Sequence, residues 1–101
     1  MPVTVTVEGR AIRALVSGEI DHHGARQIMK ELDEAIDGIL PGKLELDLSG
    51  VTFMDSSGIA VLLRARRRMD ELEGALSVVS IPTQPRRVLE AAGVGKIIRL
   101  Q

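Results

Sequence analysis

Between Lys43 and Leu48 the chain reads KLELDL, with leucines at 44, 46 and 48 alternating with acids at 45 and 47. A strand with that period buries one face and leaves the other wet. Strands covered on both sides read instead as unbroken apolar runs. This segment lies between two stretches with helical periodicity. It therefore predicts an α/β domain whose helices all pack on one side of a sheet.

The rest of the chain follows that constraint. Val3, Val5 and Val7 alternate with threonines, and Ala11 to Ser17 is a second strand. Glu8-Gly9-Arg10 joins the two as an antiparallel hairpin. Gly18 to Gly24 is expected as a loop leading into a helix with Asp21 as N-cap. The apolar stripe of that helix is Ala25, Ile28, Met29, Leu32, Ala35, Ile36 and Ile39, and Pro41-Gly42 stops it. A second helix starts at Ser56-Ser57-Gly58, with Gly58, Val61, Leu62, Ala65, Met69 and Leu72 inward. A strand at Leu76–Ile81 follows. A third helix over Pro82–Ala92 has Val88, Leu89 and Ala92 inward, and Lys96–Leu100 is the last strand. The order β-β-α-β-α-β-α-β predicts a five-stranded mixed sheet in sequential order, with strand 1 antiparallel at an edge. At 101 residues this is a single domain, 1–101.

Composition removes several function classes. There is no cysteine, so disulfides, thiolate metal sites and a cysteine nucleophile are excluded. With no Trp or Tyr and one Phe, no aromatic platform exists for stacking bases. A formal charge of −1 does not suit a general nucleic-acid or anionic-membrane binder. The longest unbroken aliphatic run, Ile59–Leu63, is far too short to span a bilayer. The start, MPVTVTVEGR, lacks the basic and apolar regions of a signal peptide, so a cytoplasmic protein is the expectation. Charge is uneven, however. Residues 1–60 carry ten acids and five bases, and residues 61–101 carry four acids and eight bases. Such a chain can offer surfaces of different sign to different partners.

In parallel sheets, function concentrates where strands end and helices begin. Three such junctions are expected: Gly18–Gly24, Val51–Gly58 and Ile81–Gln84. Neighbouring strands would bring Asp21, His22 and His23 beside Asp55, Ser56 and Ser57. A serine there can cap the helix, or it can accept a phosphoryl group at the helix's positive end. On the residues alone either Ser56 or Ser57 could serve, and Gly58 would let a partner's backbone approach closely. His22 and His23 point about 100° apart on a helix, so they do not jointly hold a metal, and no metal or cofactor is expected. A Ser-His-Asp triad can be drawn from these residues, but no G-x-S-x-G elbow accompanies it. Gly95-Lys96 is no P-loop, because Glu90 stands where its first glycine belongs. The chain is therefore not expected to be an enzyme. Arg64, Arg66, Arg67 and Arg68 read as a solvated helix face. Ile59 and Leu63 lie off the core stripe and, with Arg66 and Arg67 at the rim, would form a small protein-binding patch.

Phe53 to Leu63, FMDSSGIAVLL, resembles the phosphorylation segment of anti-sigma factor antagonists, the bacterial single-domain STAS proteins. GEIDHHGA upstream is similar to the matching loop in sporulation-type members, antagonists of an anti-sigma F factor. IPTQPRRVLEAAGVGKIIRL is similar to the family's closing helix and strand. The resemblance spans nearly the whole chain, although a final helix found in some relatives is expected to be missing. It implies a STAS fold and a partner switch in transcription regulation. In such a switch, the unphosphorylated antagonist binds an anti-sigma factor and frees the sigma factor. The anti-sigma factor is also an ATP-dependent serine kinase that inactivates the antagonist, and a metal-dependent serine phosphatase reverses this. The acceptor maps onto Ser56. Asp21, His22, His23, Asp55, Ser57, Gly58, Ile59, Leu63 and Arg67 are the expected partner-binding residues. The competing reading is a STAS subunit of another signalling or lipid-transport assembly.

Overall fold

A computed structural model describes residues 2–101. Its elements run β1 (Val3–Glu8), β2 (Ala11–Ile20), α1 (His22–Ile39), β3 (Lys43–Met54), α2 (Ser56–Glu71), β4 (Ala75–Val79), α3 (Thr83–Ala91), a 3-10 turn at Val94–Lys96 and β5 (Arg99–Leu100). The five strands form one sheet in sequential order. β1 is antiparallel to β2, and the other pairs are parallel. The fold is the one-layer α/β arrangement expected from KLELDL. Leu44, Leu46 and Leu48 are buried beneath the helices, while α1 packs on α2 and α2 on α3 along that same face.

Among the described residues no helix covers the opposite face, yet that face is not uniformly wet. Arg13 of β2 lies across β3 and donates to Glu45 at 2.8 Å and to Asp47 at 2.9 Å. This lid leaves Asp47 only 8% exposed. Burial alone would raise the Asp47 pKa. Hydrogen bonds from Ser49 and the Arg13 guanidinium outweigh it and hold the carboxyl below its usual range.

Several sequence-based expectations shift. β2 continues through Gly18 to Ile20, so the expected loop Gly18–Gly24 shrinks to Asp21. β3 is one continuous strand of 12 residues and carries two extra residues relative to β2. Each bulge moves the inward-facing position by one, and the buried residues run Leu44, Leu46, Leu48, Val51 and Met54. The first bulge needs Gly50, since a Cβ there would lie 2.8 Å from the Ser17 Cβ. Ile39 ends α1 beyond the core and is exposed, as is Ala92 past α3; Pro85 takes an inward position on α3 instead. Of the expected last strand Lys96–Leu100, Lys96 ends the 3-10 turn and Ile97 and Ile98 follow it outside the ladder, so β5 keeps two residues, Arg99 and Leu100. Among the described residues no helix is long and apolar enough to cross a membrane.

Candidate functional site

The last rung of the β2–β3 ladder pairs Ile20 with Met54, and the Asp55 N–H donates to the Ile20 carbonyl at 3.1 Å. The next residue on each strand, Asp21 and Asp55, is the N-cap of the helix that follows. Asp21 Oδ1 accepts from the Gly24 N–H at 2.7 Å, and Asp55 Oδ1 accepts from the Ser57 N–H at 2.7 Å. The two carboxylates and two helix N-termini therefore sit side by side. Gly24 lets α1 start tight against the end of β2, because a Cβ there would collide with the Glu19 carbonyl.

This geometry separates the two serines. Ser56 is the first residue of α2 and is exposed, whereas Ser57 is half-buried. A capping role for either hydroxyl is not what the structure has: Asp55 is the cap. Among the described residues no hydrogen bond engages the Ser56 hydroxyl, which faces water at the helix's positive end.

The histidines diverge as their spacing requires. His22 lines an open groove between α1 and α2 with Ala25, Arg26 and Met29 of α1 and Ser57 and Ala60 of α2. His23 looks out over Arg26, Gln27 and Lys30. Among the described residues no three His, Cys, Asp or Glu side chains cluster as a metal site would require.

Two expected contact positions change character. Gly58 is buried, and a Cβ there would run into the Met54 side chain; the glycine serves packing within the chain and offers no surface for a partner's backbone. Ile59 is half-buried against the core, so the apolar patch reduces to Leu63, which is 37% exposed. The arginines are not a simple solvated face. Arg64 and Arg68 of α2 both bind Asp33 of α1, at 2.7 and 2.8 Å, and Arg68 also binds Asp37. Arg66 donates to the Ile97 carbonyl at 2.6 Å. Of the four, Arg67 alone has no ion pair among the described residues, and it stays exposed at the rim.

Sequence reading missed one residue bearing on the site. Gln84, in the first turn of α3, accepts from the Met54 N–H at 2.8 Å and donates to the Met54 carbonyl at 2.7 Å. No local pattern marks such a contact, which spans thirty residues of sequence.

Comparison with known proteins agrees with the fold and the family resemblance. A family model described as "Mlab, STAS domain" matches residues 3–100. The anti-sigma F factor antagonist of Paenibacillus polymyxa is 32% identical over 83 residues, which cover 82% of this chain and 71% of that one. The anti-sigma-B factor antagonist of Listeria monocytogenes is 28% identical, with 89% and 78% covered. An anti-sigma factor antagonist from Mycobacterium paratuberculosis superposes with a TM-score of 0.86 at 26% identity, covering 97% of this chain and 82% of that one. The unphosphorylated form of the antagonist SpoIIAA gives 0.82 at 23%, with 98% and 87% covered, which supports the fold. The chain belongs to the STAS-domain family that includes the anti-sigma factor antagonists.

Proposed function

We propose that this chain is an anti-sigma factor antagonist controlled by phosphate on Ser56. In its unphosphorylated form it binds an anti-sigma factor that is also a serine kinase, and so releases a sigma factor. The kinase transfers the γ-phosphoryl group of ATP to the Ser56 oxygen: the new O–P bond forms, the bond to the β-phosphate oxygen breaks, ADP leaves and the hydroxyl proton is lost. A metal-dependent serine phosphatase restores the hydroxyl. Nucleotide and metal belong to those partners, and in this reading the chain works in the cytoplasm.

The observation carrying this reading is the division of labour at the start of α2. Asp55 caps the helix, which leaves the Ser56 hydroxyl exposed and free. A phosphate of about −1.5 to −2 charges there is tolerated by the helix terminus. Docking is another matter, because a partner would have to desolvate that phosphate beside Asp21 and Asp55. Phosphate thus opposes binding without unfolding the domain. Asp21, His22, His23, Ser57, Leu63 and Arg67 supply the surrounding contact surface. The GEIDHHGA segment and the likeness to anti-sigma F factor antagonists favour a sporulation-type partner.

The test is mass spectrometry after incubation with the anti-sigma factor kinase encoded nearest this chain and Mg-ATP. One phosphate on Ser56, absent in Ser56→Ala, is expected. Phosphate on Ser57 would move the acceptor by one residue. No phosphate with a kinase active on another substrate would remove the switch and favour a STAS subunit of a different assembly.

A further inference from the structure

β4 pairs with β3 only as far as Val79 opposite Asp47, so the last seven residues of β3 extend beyond it. At the final one, Met54, the side-chain amide of Gln84 stands where a strand would be. It accepts the Met54 N–H at 2.8 Å and donates to the Met54 carbonyl at 2.7 Å. A primary amide presents one acceptor and one donor side by side, the pair that one rung of ladder supplies. The Met54 side chain is pinned as well, lying under Gly58 in the first turn of α2. Ser56 therefore lies between two fixed points, the Met54 backbone and Gly58.

We infer that Gln84 is a positioning residue, an amide clamp from α3 that holds the β3–α2 junction so that the Ser56 hydroxyl is presented in one geometry. The inference rests on the acceptor reading of Ser56. Phosphoryl transfer depends on reacting atoms held about 3–3.5 Å apart, and a shift of about 1 Å costs about 10²-fold. The two bonds are part-buried but Gln84 itself is exposed, so removing its side chain opens a path for water to the Met54 backbone groups. Its loss acts on the placement of the junction more than on global stability.

The variants are Gln84→Ala, Gln84→Asn, which keeps the amide but is too short, and Gln84→Glu, which keeps the reach and the acceptor but loses the donor. Melting temperatures should fall by less than about 6 °C. Amide exchange at Met54 should speed up at least tenfold in Gln84→Ala and Gln84→Asn, and much less in Gln84→Glu. With the kinase and Mg-ATP, kcat for Ser56 phosphorylation should drop at least tenfold in the first two variants, with KM within about threefold. Unchanged exchange at Met54, or unchanged kcat in folded variants beside a phosphorylated wild type, overturns the clamp alone. A wild-type chain that takes no phosphate from the active kinase overturns the acceptor reading and the inference with it.

Discussion

Gly58→Ala separates a packing glycine from a docking glycine. An added Cβ would lie 2.6 Å from the Met54 Sδ and 2.9 Å from its Cε, and closer still to its Cγ. Met54 is only 1% exposed, so its side chain has no free space to retreat into. Overpacking of this kind costs about 1–3 kcal/mol. Replacing glycine by alanine within a helix returns about 1 kcal/mol. The net is a destabilisation of about 1 kcal/mol, or a fall of about 4–8 °C in melting temperature for a domain of this size. Thermal and urea unfolding followed by circular dichroism measure it. A cycle with Met54→Ala adds the mechanism. Shortening Met54 should cost about 2–5 kcal/mol alone, and the double variant should be less destabilised than the sum by about 1 kcal/mol. Partner affinity, measured where all variants are folded, should change less than threefold. An alanine variant as stable as wild type that loses tenfold in affinity would refute the reasoning, because the restricted space would then be the partner's.

Ser56→Asp should fold with an unchanged melting temperature and bind the anti-sigma factor at least tenfold more weakly by calorimetry, while Ser56→Ala binds normally. Leu63→Ala should weaken that binding by about 1–2 kcal/mol with little effect on stability, whereas Ile59→Ala should lower stability by about 1–2 kcal/mol because Ile59 packs on the core; the reverse pattern would exchange their roles. The Asp47 carboxyl titrates below its unfolded value of about 3.9, so its contribution is full above that pH and is lost as pH falls through the lower folded value. Urea midpoints from pH 7 to pH 2 should therefore fall less steeply below pH 4 in Asp47→Asn than in wild type. Asp33→Ala, which strips Arg64 and Arg68 of a shared carboxylate, should lower the melting temperature by an amount that shrinks in 1 M salt.

Periodicity revealed what is repetitive in this molecule. The α2 stripe Gly58, Val61, Leu62, Ala65 and Met69 is buried as its spacing requires, and the alternation at Leu44–Leu48 fixed the side on which the helices lie. It failed where geometry breaks the period. The bulges of β3 turn a two-residue repeat into steps of three at Val51 and Met54, so one strand of 12 residues looks like two shorter segments. Of the site, the adjacency of Asp21 and Asp55 followed from strand order, and the serines from their place at a helix start. Which side chain caps the helix did not follow, because Asp, Ser and Ser in succession are all competent N-caps. The arginine pairings with Asp33 and Asp37 and the Gln84 clamp join residues about thirty positions apart, and no local pattern encodes them.

The equal spacing of the three central strands, β2, β3 and β4, bears on how the chain folds. Ile12 is in register with Leu44, and Leu44 with Leu76, a separation of thirty-two residues in both cases. The β1–β2 hairpin turns within two residues, between Glu8 and Ala11, and can form within about 1–10 μs. Neither parallel rung has such a shortcut. Each must close a long loop before its contacts repay the lost chain entropy, and the two closures cost nearly the same because that cost depends only on the logarithm of loop length. Neither crossover is thus favoured by length to lead, and the order of assembly rests on which helix, α1 or α2, buries its stripe against the sheet first.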